Sequence, residues 1–401
     1  MDLVSGYPFW LIRDGLPFQY PKLTENKNCD CVIIGGGISG ALTAYYLIEA
    51  GIECILVDKR SIGLGSTCAS TSLLQYELDI PLHQLAKKIG WEKASRVFQV
   101  CGEAIDKLTV IMDRIGFKEY EKIPSLFFTT HRQDKKFMEK ECEARRKAGF
   151  EVRMMTSEEL ATAYGLKAYA AIHSLQGATH NAYRFTHALL QYCIKKGLQV
   201  FDRTGIERIE YKNEKVLLET NEKHTITSSH LVNATGYEVV NFIKKGIVDF
   251  YTTYAIASEH EPEKKSYWKE RTMMWNTDDP YLYMLLTADN RVIVGGRDEH
   301  ARDKNSLQEI LQKKAEGLEK DFKKILPGIP FKREFTWSGV FGKTKDSLPY
   351  IGSLKESPRT YYSLGFGGNG ITFSQVGGEI IADLLRGKKN KDAALFSFDR
   401  S

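Results

Sequence analysis

The stretch Cys31-Val32-Ile33-Ile34-Gly35-Gly36-Gly37-Ile38-Ser39-Gly40 sets the fold class of this chain. Four apolar residues form a short buried strand, the glycines form a turn, and the residues up to Glu49 form a helix. Gly35 permits the tight turn, Gly37 lets the backbone come close to a pyrophosphate, and Gly40 lets the helix pack closely on the strand. A diphosphate at this turn meets the positive end of the helix. Ile38, Ala41, Tyr45 and Ile48 recur at helical spacing as the face that packs on a sheet, and Gly51 supplies the stop. A second apolar strand, 52–57, ends at Asp58, about 20 residues past the glycines, where a carboxylate can accept hydrogen bonds from ribose hydroxyls. This is a Rossmann-type dinucleotide site. The motif alone does not say which dinucleotide, because the common ones share their ADP half.

Moving outward, Lys59-Arg60-Ser61-Ile62-Gly63-Leu64-Gly65-Ser66-Thr67-Cys68-Ala69-Ser70-Thr71 is too rich in small and hydroxylated residues for a plain crossover helix. It can lay N–H groups and hydroxyls along a diphosphate and the ring system beyond it. Strands are expected at 198–201 and 206–211, and a further apolar strand leads into Asn233-Ala234-Thr235-Gly236, where small residues allow close backbone approach. The C-terminal region holds Trp337-Ser338-Gly339, then Thr344-Lys345-Asp346-Ser347-Leu348-Pro349-Tyr350-Ile351-Gly352. Gly365-Phe366-Gly367-Gly368-Asn369-Gly370 then feeds an amphipathic helix over 371–385, closed by Gly387.

With 401 residues, 42% hydrophobic and 27% charged, the chain is long enough for two domains around a sizeable core. Its net charge of +5 is scattered among many acids, which argues against a nucleic-acid partner; Lys388, Lys389 and Lys391 read as a solvated tail. Seven cysteines without a repeating spacing suit a reducing compartment, and Cys29 and Cys31 have no nearby pair to complete a metal site. The N-terminus lacks the basic and apolar regions of a signal peptide, and no apolar run approaches the roughly 20 residues that span a bilayer. A soluble, cytoplasmic protein without a metal is expected, its oligomeric state left open.

In combination, the glycine motif with Asp58, the Gly65-Ser66-Thr67 segment, Ala234-Thr235-Gly236, the 344–352 stretch and the 365–370 loop resemble the D-amino acid oxidase family of FAD-dependent oxidoreductases, which includes glycine oxidase, sarcosine oxidase and bacterial polyamine-derivative oxidases. The resemblance covers essentially the whole chain and includes the lead-in Tyr7-Pro8-Phe9-Trp10 and Tyr20-Pro21-Lys22-Leu23. It implies an α/β fold: a discontinuous Rossmann-type FAD-binding domain (1–80, 175–245 and 336–401) and an α+β substrate domain (81–174 and 246–335) whose mixed, largely antiparallel sheet roofs the flavin. Gly35, Gly37, Ile38, Ser39 and Gly40 would carry the diphosphate turn. Asp58, with Lys59 and Arg60 beside it, would bind ribose, although the family more often has Glu there. Gly65, Ser66, Thr67, Ser70 and Thr71 would touch pyrophosphate and flavin, Ile206 would hold adenine through its backbone, and Ala234, Thr235 and Gly236 would border the adenosine. Gly367, Gly368, Asn369, Gly370, Ile371 and Thr372 would face the pyrimidine edge of the flavin, where a helix N-terminus favours the reduced cofactor.

Amphipathic segments at 84–115 and 132–149, strands at 126–130 and 291–295, and a capping box at Thr156 and Glu159 fill the inserts. The implied chemistry is hydride transfer to flavin N5 from the carbon next to a neutral amine, which needs positioning and water exclusion more than a side-chain base. Tyr281, Tyr283 and Leu285 are candidate substrate contacts by strand alternation. Amino acid oxidases place an arginine near the position of Leu285, so its absence favours an amine or N-substituted amino acid over a simple α-amino acid. Arg297 reads as a surface residue at a strand end. Lys265 lies near the family's oxygen-activating lysine, although Lys264 adjoins it and a solvated lysine is the simpler reading. No cysteine follows Cys193, so the flavin is expected to be non-covalent. His180, His260 and Trp337 read as packing or surface residues rather than catalytic ones. Oxygen is the expected acceptor. The alternatives are a dehydrogenase passing electrons from an amine, alcohol or hydroxy acid to a quinone or carrier, with peripheral membrane contact, and, further off, a redox-sensing flavoprotein or a nicotinamide-only dehydrogenase.

Overall fold

The computed structural model describes residues 3–241, 247–261, 266–301 and 307–400. The glycine-motif strand runs from Lys27 to Ile34, longer than its apolar part: Lys27–Asp30 alternates between partly buried and exposed, and Cys31–Ile34 is buried throughout. Burial on both faces is the signature of a parallel sheet covered by helices. Gln199–Phe201, Cys54–Val57, Lys27–Ile34 and Thr225–Asn233 lie side by side, all parallel. The free edge of Thr225–Asn233 is shared. Its first half pairs with the antiparallel Lys215–Thr220, and its last three residues pair in parallel with Ser357–Leu364.

The helix Ile38–Glu49 follows directly and is closed by Gly51 at φ +77°. The sequence assigns it one packing face, but Ile38 through Tyr45 and Leu47 are all buried, and Ile48 is only partly so. The helix is sandwiched between Ala182–Ile194 and Gly370–Leu385 as well as against the sheet. The expected 84–115 helix is two, Leu82–Ile89 and Trp91–Arg114, broken where Gly90 takes φ +86°. The capping box closes in both directions: Glu159 N–H donates to Thr156 Oγ1 at 3.3 Å, and Thr156 N–H donates to Glu159 Oε2 at 2.8 Å.

A nine-stranded sheet forms the second layer, in the order Val4–Gly6, Arg333–Lys343, Asp249–Ser258, Val292–His300, Tyr283–Leu286, Met273–Asn276, Ser125–Thr129, Ala170–Ser174 and Val152–Thr156. One pairing, Met273–Asn276 with Ser125–Thr129, is parallel; the others are antiparallel. This is the mixed, largely antiparallel sheet that the sequence leads one to expect. The strand Arg333–Lys343 runs unbroken through residue 336, and the N-terminal lead-in adds an edge strand to it, with Gly6 opposite Trp337. Leu318 and Phe322 of the helix Leu307–Ile325 are buried beneath the sheet in a core shared with Ile256, Met284 and Val294. Among the described residues no helix is long and apolar enough to cross a membrane.

Candidate functional site

A cavity of about 500 Å³ runs between the two sheets, from Lys59 and Ile206 at one end to Trp275, Tyr283 and Asp298 at the other. Of the residues singled out from sequence, Gly35, Gly37, Ile38, Ser39, Asp58, Lys59, Arg60, Gly65, Ser66, Thr67, Ser70, Thr71, Ile206, Ala234, Thr235, Gly236, Gly367, Gly368, Asn369, Gly370, Ile371, Tyr281 and Tyr283 all line it. Two do not. Gly40 lies against the strand, where an added Cβ would sit 1.8 Å from Gly35 O, so its part is the close packing read from the motif. Thr372 is 1% exposed and turns its hydroxyl to Gln75 O at 3.4 Å. Lys265 lies outside the described residues, with Lys264.

The glycine turn is built to receive a diphosphate. Gly37 occupies the N-cap of Ile38–Glu49 without a side-chain cap, and the first helical N–H, that of Ile38, is held by Thr67 Oγ1 at 3.0 Å. A Cβ on Gly37 would lie 2.9 Å from that same oxygen, so the cradle is filled by any larger residue. Ser39, 6% exposed, keeps a buried hydroxyl with no partner among the described residues. An orphaned donor at an uncapped helix N-terminus suits an anionic oxygen. The Gly65–Thr71 segment opposite is pinned by two indoles absent from the motif: Trp10 Nε1 donates to Ser70 O and Trp337 Nε1 to Ala69 O, each at 2.9 Å.

At the adenosine end, Asp58 accepts N–H bonds from Gly36 at 2.6 Å and Arg60 at 2.7 Å, while burial pushes its carboxyl above the ordinary range. Glu238, which the sequence does not single out, organises the two cations. It accepts from Lys59 Nζ at 2.8 Å and from Arg60 at 2.8 and 2.9 Å. Burial opposes its ionisation, yet the Arg60 and Lys59 bonds hold it at about 2.

The loop before Gly370–Leu385 is tied to the segment 75–79. Asn369 Nδ2 donates to Gln75 O at 3.0 Å and Glu77 O at 2.9 Å, and Gly368 N–H donates to Asp79 Oδ2 at 3.3 Å. Behind that segment Arg145, 1% exposed at its side chain, pairs with Glu141 at 2.8 Å and Glu77 at 3.4 Å. Such a buried set fixes geometry more than it adds stability.

At the far end Tyr281 donates to Asp79 Oδ1 at 3.0 Å. Gly295 and Gly296 make room for the tyrosines, since a Cβ would meet the Tyr283 phenol at 2.2 Å or Tyr281 O at 2.6 Å. Burial drives both phenols up, Tyr281 well above the usual value and Tyr283 to about 12. At neutral pH they are therefore donors and walls, not bases. Leu285 does not follow them into the cavity. It packs in a core with Phe9, Tyr183 and Trp337. Arg297 forms a bidentate pair with Asp321 at 2.7 and 3.0 Å, away from the lining. His180 is buried against Ser72 O at 3.2 Å and His260 is exposed; neither lines the cavity. Asp79, Asp298, Thr253 and Trp275 do, and sequence reasoning passes over them because no motif surrounds them.

Comparison with known proteins agrees with this geometry. Residues 30–384 match the family model described as FAD dependent oxidoreductase. Glycine oxidase of Bacillus subtilis is 22% identical over 93% of this chain and 97% of its own length, and gamma-glutamylputrescine oxidoreductase of Escherichia coli is 23% identical over 92% and 86%. The crystal structure of L-proline dehydrogenase from P. horikoshii superposes with a TM-score of 0.76 at 21% identity, covering 94% of this chain and 97% of that one. The uncapped glycine turn, the orphaned Ser39 hydroxyl and the tied glycine loop fit FAD, and the chain belongs to the family of FAD-dependent oxidoreductases.

Proposed function

We propose that this enzyme oxidises the carbon–nitrogen bond of a small amine or N-substituted amino acid, with oxygen as the electron acceptor. The observation that carries this reading is the polarity of the cavity. Among its described lining residues the cations are Lys59 and Arg60, both tied to Glu238 at the adenosine end, so the far end offers no clamp for an α-carboxylate. Gamma-glutamylputrescine oxidoreductase and glycine oxidase, to which the chain is similar, are named for an amine derivative and an amino acid, and the cavity favours the amine side of that range.

When bound, FAD supplies an acceptor for the hydride that leaves the carbon next to a neutral amine, giving an imine that water hydrolyses. The chain's own residues do the positioning. Residues of the segments 1–80, 175–245 and 336–401 would hold the cofactor without a covalent bond. Gly37, Ser39 and Thr67 would receive the diphosphate, Asp58 the ribose, and Gly367–Asn369 the pyrimidine edge. Most of the substrate contacts would come from 246–335, with Tyr281 and Tyr283 walling the reacting carbon and excluding water. Turnover with a substrate amine should release a carbonyl compound and free ammonia or amine in equal amounts, with one peroxide for each in air. Oxidation confined to alcohols or hydroxy acids would refute the assignment, and slow reoxidation by air with rapid reoxidation by a quinone would move it to the dehydrogenases.

A further inference from the structure

Acidic residues dominate the far end of the cavity: Glu77, Asp79 and Asp298 all line it. Two of the three are engaged. Glu77 pairs with Arg145 through Oε1, although its Oε2 has no partner among the described residues, and Asp79 accepts from Tyr281 and Gly368. Asp298 differs. Its Oδ1 is shielded from solvent and has no partner at hydrogen-bonding distance and angle among the described residues; the Thr253 hydroxyl beside it, whose Oγ1 is likewise without such a partner, is near enough to favour its ionisation but does not complete a bond. Burial, with Asp79 adding to it, pushes the Asp298 carboxyl up to about 6. Cations on neighbouring elements act on it only through space. Lys314 is bonded to Glu299 at 3.0 Å and to Arg297 O at 2.9 Å, while Lys343 lies over the rings of Tyr251 and Phe341 at 5.1 and 5.3 Å. Tyr283 stays a neutral phenol.

The same sheet carries an orphan of the other sense at this end of the cavity. Trp275 is 6% exposed, lines the cavity, and its indole N–H has no acceptor among the described residues. Its ring meets that of Tyr281, and Tyr281 meets Tyr283, each at 5.9 Å between centroids. An unpaired acceptor, an unpaired donor and a run of aromatic faces between them describe a lining completed by a polar, cationic ligand. A carboxylate in contact with an amine holds it protonated. A protonated nitrogen withholds the electron pair that drives hydride departure from its neighbouring carbon, so the nitrogen at Asp298 is not the one that reacts.

Building on the amine-oxidation reading above, we propose that Asp298 anchors a second, protonated nitrogen of the substrate, so that the preferred class is a diamine-type molecule rather than a monoamine or an amino acid. The indole N–H of Trp275 is left for an uncharged acceptor on the same molecule.

Calorimetric titration of the FAD-loaded protein with α,ω-diaminoalkanes, n-alkylamines and ω-amino acids of matched chain length tests this. The diamine should bind about tenfold or more tightly than the alkylamine, with the amino acid weakest. Asp298→Asn should bring the first two dissociation constants together, Asp298→Glu should restore part of the gap, and the gap should shrink as pH falls through about 6. Equal binding of diamine and alkylamine, or a preference that survives Asp298→Asn with flavin content intact, overturns the proposal. The two readings fail separately. Flavin bleached by alkylamines with no diamine preference removes the second cation and leaves amine oxidation standing. Asp298-dependent diamine binding without bleaching by any amine removes the oxidation and leaves the cation site.

Discussion

The two ends of the cavity are made of different material. At the nucleotide end the contacts on offer are mostly backbone N–H groups and small hydroxyls, held by a glycine turn, an uncapped helix and two indoles that pin the facing loop. At the substrate end they are side chains: two tyrosines, a tryptophan and an unpaired carboxylate on strands of the other sheet. Backbone donors recognise a phosphate whatever family member displays them, whereas side chains set which substrate is admitted. The first end therefore reads as family membership and the second as individual specificity.

Substitutions can break this contrast at either end. The largest effect is expected from Gly37→Asp, which sets bulk 2.9 Å from Thr67 Oγ1 and negative charge at the helix N-terminus; flavin affinity should fall about a hundredfold or more, read as cofactor content after dialysis. Asp298→Asn should leave cofactor content unchanged and alter stability instead. The folded carboxyl titrates at about 6, above its ordinary value, so its buried charge destabilises the protein above that pH and the penalty disappears as pH falls below the ordinary value. The variant should melt higher than the parent at pH values near 8, by on the order of 1–3 kcal/mol, and the gain should vanish near pH values of about 4. Glu238→Gln should act at the nucleotide end alone, freeing Lys59 and Arg60 and weakening FAD by about tenfold. Its stability contribution has the opposite sign, present above the ordinary carboxylate range and lost as pH falls through about 2. Trp337→Phe removes one pin on Ala69 and should cost about 1 kcal/mol, seen as a severalfold loss of FAD affinity without a change in substrate preference.

What could be read from the sequence follows the same division. Strand, glycine turn, helix and acid occur within one short stretch, so local rules suffice, and the residues drawn from them converge on one cavity. Glu238 is not legible in the sequence because its role depends on reaching Lys59 and Arg60 across 179 and 178 residues of chain, which local spacing does not encode. Trp337 looked like packing and is packing, yet its N–H also fixes the Gly65–Thr71 backbone. Alternation places Tyr281, Tyr283 and Leu285 on one face, but at Leu285 that face is covered by Phe9 and Trp10 of the lead-in helix and by Trp337 instead of opening on the cavity, and no motif announces that cover. Asp79 and Asp298 sit in unremarkable sequence, and only the fold brings them to one end of a cavity.

The central claim is that the chain oxidises an amine with FAD. The most direct test is an anaerobic titration of the yellow, FAD-loaded protein with matched amines, amino acids and hydroxy acids, followed by admission of air. Stoichiometric bleaching by an amine, prompt return of colour and formation of peroxide are the expected result. Bleaching by hydroxy acids with none by any amine would contradict the claim.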